Sequence, residues 1–144
     1  MATRLALVAI LGCAALLSGC VQDAVSNQTD HFSYGGQVAG LSTTKTYTWQ
    51  NTVGRTSVHW GGQSSSGTFT LNLKDANGKA IYTKSVGGAQ QSGFTDNTGT
   101  GAPGGWTVEL QFSGFTGQMG LNLDASGGVP TSPTGYCPPN VPYC

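Results

Sequence analysis

The chain has 144 residues, six Lys or Arg against six Asp or Glu, a formal net charge of zero and 23 glycines. So sparse and balanced a charge leaves no basic footprint for nucleic acid and no polybasic patch for an anionic bilayer. Polar positions are filled by Gly, Ser, Thr, Asn and Gln, the surface of a secreted-type β-protein.

The first element is an apolar run, Leu5 to Leu17, behind the single charge of Arg4. It is shorter than the roughly 20 residues a membrane-spanning helix needs and has the length of a secretory h-region. It ends in Leu17-Ser18-Gly19-Cys20. An aliphatic residue three before a cysteine, with small residues between, resembles the lipobox of bacterial lipoproteins. The resemblance implies cleavage of residues 1–19 as a signal peptide and acylation of Cys20. Several acyl chains hold a protein stably, each buried CH₂ adding about 0.8 kcal/mol. Val21, rather than an acidic residue, follows the cysteine. In enterobacteria that pattern resembles lipoproteins sent to the outer membrane, so the expected location is the envelope, lipid-anchored, at the outer membrane.

Residues 20–33 are polar and aperiodic after the cysteine, and read as a tether. Residues 34–125 hold the alternation of half-buried antiparallel strands. In "TYTWQ", Tyr47 and Trp49 oppose Thr46 and Thr48; in "SVHW", Val58 and Trp60 oppose His59. In "GTFTLNL", Phe69, Leu71 and Leu73 share one face; in "WTVELQF", Trp106, Val108, Leu110 and Phe112 do; in "QMGLNLD", Met119, Leu121 and Leu123 do. "AIYTKSV" adds a less regular strand. "KDANGKA" supplies Asn77-Gly78 for a tight hairpin. "SGFTG", residues 113–117, reads as a second hairpin, and "GGQSSSG", residues 61–67, as a hairpin or linking loop. Residues 87–105 form a long aperiodic gap of the kind that is usually functional or mobile. These runs predict an all-β fold: an antiparallel, jelly-roll-like β-sandwich of about six to eight short strands.

Residues 126–144 are rich in Pro, Gly and Ser and read as a tail. Cys13 leaves with the signal and Cys20 takes lipid, which leaves Cys137 and Cys144 in "CPPNVPYC". Outside the cytoplasm such a pair is expected to close a disulfide, an intermolecular bridge being the alternative.

The stretches "SSSGTFTLNLKDANGKAIYTKSVGG" and "GAPGGWTVELQFSGFTGQMGLNLDA" together are similar to pre-peptidase C-terminal-like and GOLD-like β-sandwiches over residues 44–125. Those domains are accessory, carbohydrate-binding or protein-contact modules. The resemblance gives Asp75, Gly78 and Trp106 structural roles and transfers no catalytic residue.

No metal-ligand spacing, nucleophile motif or phosphate loop occurs, so no cofactor, no metal and no enzymatic activity are expected. The carboxylates available to an acid–base pair, Asp75, Asp96, Glu109 and Asp124, have no spacing that joins two of them. "DANG" lacks the oxygen ligands of a calcium loop. Candidate ligand contacts are Asp96 and Asn97 in "FTDNTGTG", and a sugar-stacking platform made of Trp49, Trp60 and Trp106. Those tryptophans lie on the apolar faces of their strands, where packing also explains them. Tyr34, Tyr136 and Tyr143 lie outside the clear runs and read as exposed contacts. The leading expectation is a non-catalytic, lipid-anchored envelope protein that contacts another protein. The alternatives are a module binding peptidoglycan or a surface glycan, and a self-assembling structural subunit.

Overall fold

A computed structural model describes residues 22–125. Arg4, Cys13, Cys20, Cys137, Cys144, Tyr136 and Tyr143, and with them the signal, lipid and disulfide expectations, lie outside the described residues.

Six antiparallel strands run in chain order: β1 (Gln22–Gln28), β2 (His31–Asn51), β3 (Ser57–Lys74), β4 (Ala80–Gly87), β5 (Gln90–Asn97) and β6 (Gly104–Asp124). The antiparallel sandwich expected from the alternation is the fold, but its strands are not all short. β2, β3 and β6 have 21, 18 and 21 residues. Each breaks register near its middle, at Val38–Thr43 in β2 and at Ser64–Thr68 in β3, where both pair with β6. The break bends all three strands across one crease, so a single hydrogen-bonded sheet doubles over into two layers.

The first layer has five strands in the order β1, front half of β2, rear half of β6, front half of β3, β5. The second has four: rear half of β2, front half of β6, rear half of β3, β4. At the crease Gly67 (φ 77°) and Gly114 (φ 58°) lie back to back. A Cβ on Gly67 would run into the Gly114 carbonyl. Both the left-handed backbone and the close approach require glycine there. "GGQSSSG" and "SGFTG" are therefore bends within β3 and β6, not hairpins. Gly and Ser mark a change of chain direction in both cases, and only pairing with a third strand separates a bend from a reversal.

Two other expectations change. The segment 20–33, read as a tether, contains β1 and the start of β2, joined through Thr29-Asp30 with Asp30 at φ 62°. Asp30 also accepts from the Thr52 amide and hydroxyl at 2.7 and 2.6 Å, which fixes this turn against the loop after β2. The gap 87–105 contains β5. Both strands lie at the sides of the five-stranded layer, cover little core and carry few apolar residues, so periodicity does not announce them.

The core is packed between the layers. Every apolar residue placed on a strand face by alternation is buried except Tyr47, which is half-buried against it. Trp49 and Trp106 pair across β2 and β6, ring centroids 5.9 Å apart and edge to face. The Trp49 indole donates to the Gln28 carbonyl at 3.0 Å and the Trp106 indole to Ala102 at 2.7 Å. Tyr34, expected to be exposed, is 1% exposed. It lies on the inner face of β2 against Tyr47 and Phe112, and burial, then the Tyr47 hydroxyl, push its phenol up to about 12.

The two sides of the sandwich are closed alike. On one side Asp23 of β1 accepts from the Tyr34 hydroxyl at 2.7 Å and pairs with Lys45, whose ammonium lies over the Tyr34 ring. On the other, Asp96 of β5 accepts from the Tyr82 hydroxyl at 2.9 Å and pairs with Lys84 at 3.2 Å, whose ammonium lies over Phe94. The bonds from Tyr82, then Lys84, hold the Asp96 carboxyl below its ordinary range.

The β3–β4 hairpin forms as "DANG" predicts. Asp75 Oδ1 accepts from the Asn77 and Lys79 amides at 3.0 and 2.9 Å, Gly78 takes φ 77°, and Oδ2 accepts from the Ala102 amide at 2.9 Å. One carboxylate thus ties the hairpin to the segment entering β6.

Candidate functional site

The expected aromatic platform does not form. Trp49 and Trp106 are fully buried and Trp60 is 3% exposed, stacked on Phe94 at 5.7 Å. Their faces belong to the core, and no sugar ring can lie on them. Asp96 is engaged in closing the β4–β5 side. Asn97, on the other face of β5, accepts from the Ser57 hydroxyl at 3.0 Å.

The carboxylates are dispersed. Asp75 caps the hairpin, with the Ala102 amide first among the groups holding it below its ordinary range. Glu109 lies on the outer face of the four-stranded layer beside Asn72 and Gln111. Asp124 lies on the opposite layer, its Oδ1 2.7 Å from His31 Nδ1 because β2 and β6 pair the two residues in register. Among the described residues no group of three His, Cys, Asp or Glu could hold a metal ion.

A different feature emerges from the register of the five-stranded layer. Residues on its outer face line up in rows across β1, β2, β6, β3 and β5. The row nearest the crease is Gln22, Gln37, Gln118, Gln63 and Gln91 in register position. The next is Ala24, Gly35, Gly120, Gly61 and Gly93. Then come Ser26, Ser33, Asn122, His59 and Thr95, and last Gln28, His31, Asp124, Ser57 and Asn97. A row of small residues between two rows of larger polar ones makes a trough at right angles to the strands. Five strands about 4.8 Å apart give a floor of about 19 Å, and the flanking rows, four residues apart along each strand, leave about 13 Å between their Cα atoms.

Three of the floor glycines are not demanded by the fold. None of Gly35, Gly61, Gly93 and Gly120 has a positive φ. A Cβ on Gly61 would meet nothing within 4 Å, and on Gly35 or Gly120 only a carbonyl oxygen at 3.8 or 3.9 Å. Gly93 is tighter, 2.9 Å from the Trp60 carbonyl. Inner-face glycines differ: Gly62 and Gly117 press on the backbone of the neighbouring strand and could not carry a side chain without moving it.

The walls are amides and hydroxyls. Gln37 and Gln63 are exposed and Gln118 half-buried on the crease side; Ser33, Asn122, His59 and Thr95 line the other. His59 Nδ1 lies 3.1 Å from the Thr95 hydroxyl. The outer face of the four-stranded layer has no such floor. Its side chains bond to one another instead, Thr70 to Ser85 at 2.8 Å and Asn72 to Glu109 at 3.0 Å.

The trough was missed in sequence because it takes one residue from each of five strands. Its only local trace is the spacing Gly-x-Gln: Gly35 with Gln37, Gly61 with Gln63, and Gln118 with Gly120 in the reversed strand.

No family model matches the chain, and neither does any curated protein. Among solved structures, the chain is similar to a carbohydrate-binding module of Cellvibrio mixtus lichenase 5A, solved with cellotriose (10% identity, 75% of this chain and 89% of that one, TM-score 0.43). It is similar to the CBM36-1 domain of a xylanase from the hindgut metagenome of Trinervitermes trinervoides (22% identity, 78% and 94%, TM-score 0.43), and to a xylan-binding domain of CBM 22 (16% identity, 77% and 86%, TM-score 0.36). At these TM-scores the likeness transfers no site and no ligand.

Proposed function

We propose that this protein is a non-catalytic glycan-binding module, with the trough as its binding face and a lipidated Cys20 as its anchor in the bacterial envelope. The observation that carries the reading is the row of glycines. A glycine within a strand costs about 0.5–1 kcal/mol relative to alanine. At Gly35, Gly61 and Gly120 neither backbone conformation nor packing accounts for that cost. A strand glycine of this kind marks a place where a ligand or another backbone comes close. The walls then define the chemistry. An amide side chain carries two donors and an acceptor with two lone pairs, and a hydroxyl serves as either, so both complement the hydroxyls of a sugar.

This reading replaces the protein-contact subunit as the first choice. Among the described residues the exposed large apolar side chains are Val25 on β1 and Val53 in the loop after β2, single residues on separate elements. An apolar docking face needs a contiguous patch. Peptidoglycan and surface polysaccharides are the ligands within reach of an outer-membrane anchor, the location favoured by Val21.

The test is retention of the full-length chain, purified in detergent, on peptidoglycan sacculi and in gels cast with soluble polysaccharides. Gly61→Val fills the trough with a residue that suits a strand. Retention by wild type that Gly61→Val abolishes is the expected result. Equal retention of both proteins, or none on any glycan, would overturn the proposal.

A further inference from the structure

Resting on the acylation of Cys20 and not on the choice of ligand, we infer that the sandwich docks directly on a lipid surface through its crease end, with no spacer between, and turns its opposite, charged end away from the bilayer.

The reach of the chain sets the distance. β1 begins at Gln22, two residues after Cys20. Two residues of fully extended chain span about 7 Å at most, so an acylated Cys20 holds the first residue of the sheet within about 7 Å of the headgroups. β1 is fastened along its whole length. Each of its residues pairs with β2. Towards its far end the Asn27 amide side chain donates to the Thr48 carbonyl at 2.9 Å, and the Gln28 carbonyl accepts from the buried Trp49 indole at 3.0 Å. The anchor therefore pulls on the sandwich itself rather than on a linker.

The direction of β1 sets the orientation. Gln22 is in register with Gln37, Gln118 and Gln63, beside the crease. Gln28 lies six residues further along the strand, about 20 Å away. The turn between β4 and β5 reaches the crease as well, the Gly88 amide donating to the Gly67 carbonyl at 3.1 Å. The opposite end holds the β1–β2 turn, the loop after β2 and the β3–β4 hairpin. Ala125 is there too, its amide donating to the Asp30 carbonyl at 2.9 Å. Residues 126–144 thus follow from the end turned away from lipid.

The distribution of charge points the same way independently. No Lys, Arg, Asp or Glu occurs at 35–44, 61–73, 85–95 or 110–123, the stretches that meet at the crease or flank it. The exposed side chains at the crease are small and neutral: Ala39, Ser42, Ser65, Ser66 and Ser113. The nearest charges, Asp23 and Lys45, neutralise each other. Asp30, Arg55, Lys74, Asp75, Lys79 and Asp124 belong to the opposite end. A charge pressed against a bilayer loses water at a cost, and the crease has no unpaired charge to desolvate. Nor has it a cationic cluster to select anionic lipid, so contact follows from the anchor and needs no particular headgroup.

Full-length protein purified in detergent and reconstituted into phosphatidylcholine vesicles, some of whose lipids carry a nitroxide on the headgroup, tests this. A fluorescent amino acid is incorporated at Ala39 or Ser65 at the crease, or at Asn77 in the β3–β4 hairpin, all exposed positions. A second set carries ten Gly and Ser residues inserted between Val21 and Gln22, a flexible spacer of about 17 Å. The nitroxide should quench both crease positions at least threefold more strongly than Asn77, and the insertion should at least halve that ratio. A ratio below threefold at either crease position, or one that the insertion does not halve, refutes this inference. It leaves the acylation of Cys20 standing, provided wild type floats with the vesicles and Cys20→Ser does not. Wild type that fails to float, or Cys20→Ser that floats, refutes both.

Discussion

Gly61 and Gly62 are consecutive on β3, and alanine at the two positions should shift stability in opposite directions. Gly61 is on the outer face, without positive φ, and a Cβ there meets nothing within 4 Å. Alanine then reduces the freedom of the unfolded chain and meets no obstruction in the folded one, a gain of about 0.5–1 kcal/mol. For a domain of this size that is a rise in Tm of roughly 2–8 °C. Gly62 is on the inner face. Its Cβ would run into the Gln118 carbonyl and sit 3.0 Å from the Met119 Cα. Both are backbone atoms of a paired strand and cannot swing aside. β3 and β6 would have to separate locally, at the cost typical of overpacking, about 1–3 kcal/mol, and Tm should fall by roughly 4 °C or more. Thermal melts followed by circular dichroism, with urea titrations to check that the m-value is unchanged, read both signs. A fall for Gly61→Ala of the size seen for Gly62→Ala would mean that β3 does not present alternate faces as described. The row of glycines, and the function built on it, would go with it.

Trp106→Ala should cost about 3–5 kcal/mol, as large aromatic truncations in a core do, and acrylamide should quench native tryptophan emission weakly; full accessibility of any of the three indoles would contradict the packing. The Asp75 carboxyl is depressed by the amides of Ala102, Lys79 and Asn77. A group whose folded pKa lies below its unfolded value of about 3.9 adds stability above that value and loses it as pH falls through the folded one. The urea midpoint of wild type should therefore drop in acid below about pH 4, and Asp75→Asn should have a lower midpoint at neutral pH and a flatter acid profile. An unchanged profile would show that these three amides do not favour the ionised form. Cys20→Ser should move the protein from the membrane to the soluble fraction; continued membrane association would show that something other than lipid at Cys20 holds it there.

What could be read in advance follows the physics of one-sided burial. "TFTLNL" and "WTVELQF" declare themselves because each covers the core with every second residue, and the core needs all of them. "DANG" declares itself because few sequences supply both a capping carboxylate and a left-handed residue two or three positions on. β1 and β5 carry no such signal because side strands of a layer cover little of the core. Val25 is the only large apolar side chain in "QDAVSNQ", and it is 44% exposed. Phe94 is its counterpart in "QQSGFTDN". Glycine and serine permit a bend as readily as a reversal, so "GGQSSSG" reads as a hairpin or linking loop and "SGFTG" as a hairpin, and only the pairing of β3 with β6 decides for bends. The trough lay beyond the reach of periodicity altogether. Gly35, Gly61, Gly93 and Gly120 become neighbours only when four strands are set in register, and that register is fixed by the whole sandwich rather than by any segment.

The matched closures at the two sides of the sandwich bear on how closely copies of this domain can crowd together. At the high local density that the proposed lipid anchor would impose, a nearly uncharged sheet is prone to zip to its neighbour along open strands. Two of the six basic and two of the six acidic side chains of the chain, Lys45, Lys84, Asp23 and Asp96, sit at those margins. An incoming strand would have to part an ion pair before it gained a hydrogen bond. Charges this scarce, placed there, guard the open margins of the sheet and would leave its uncharged outer face free for the proposed ligand while neighbouring copies stay separate.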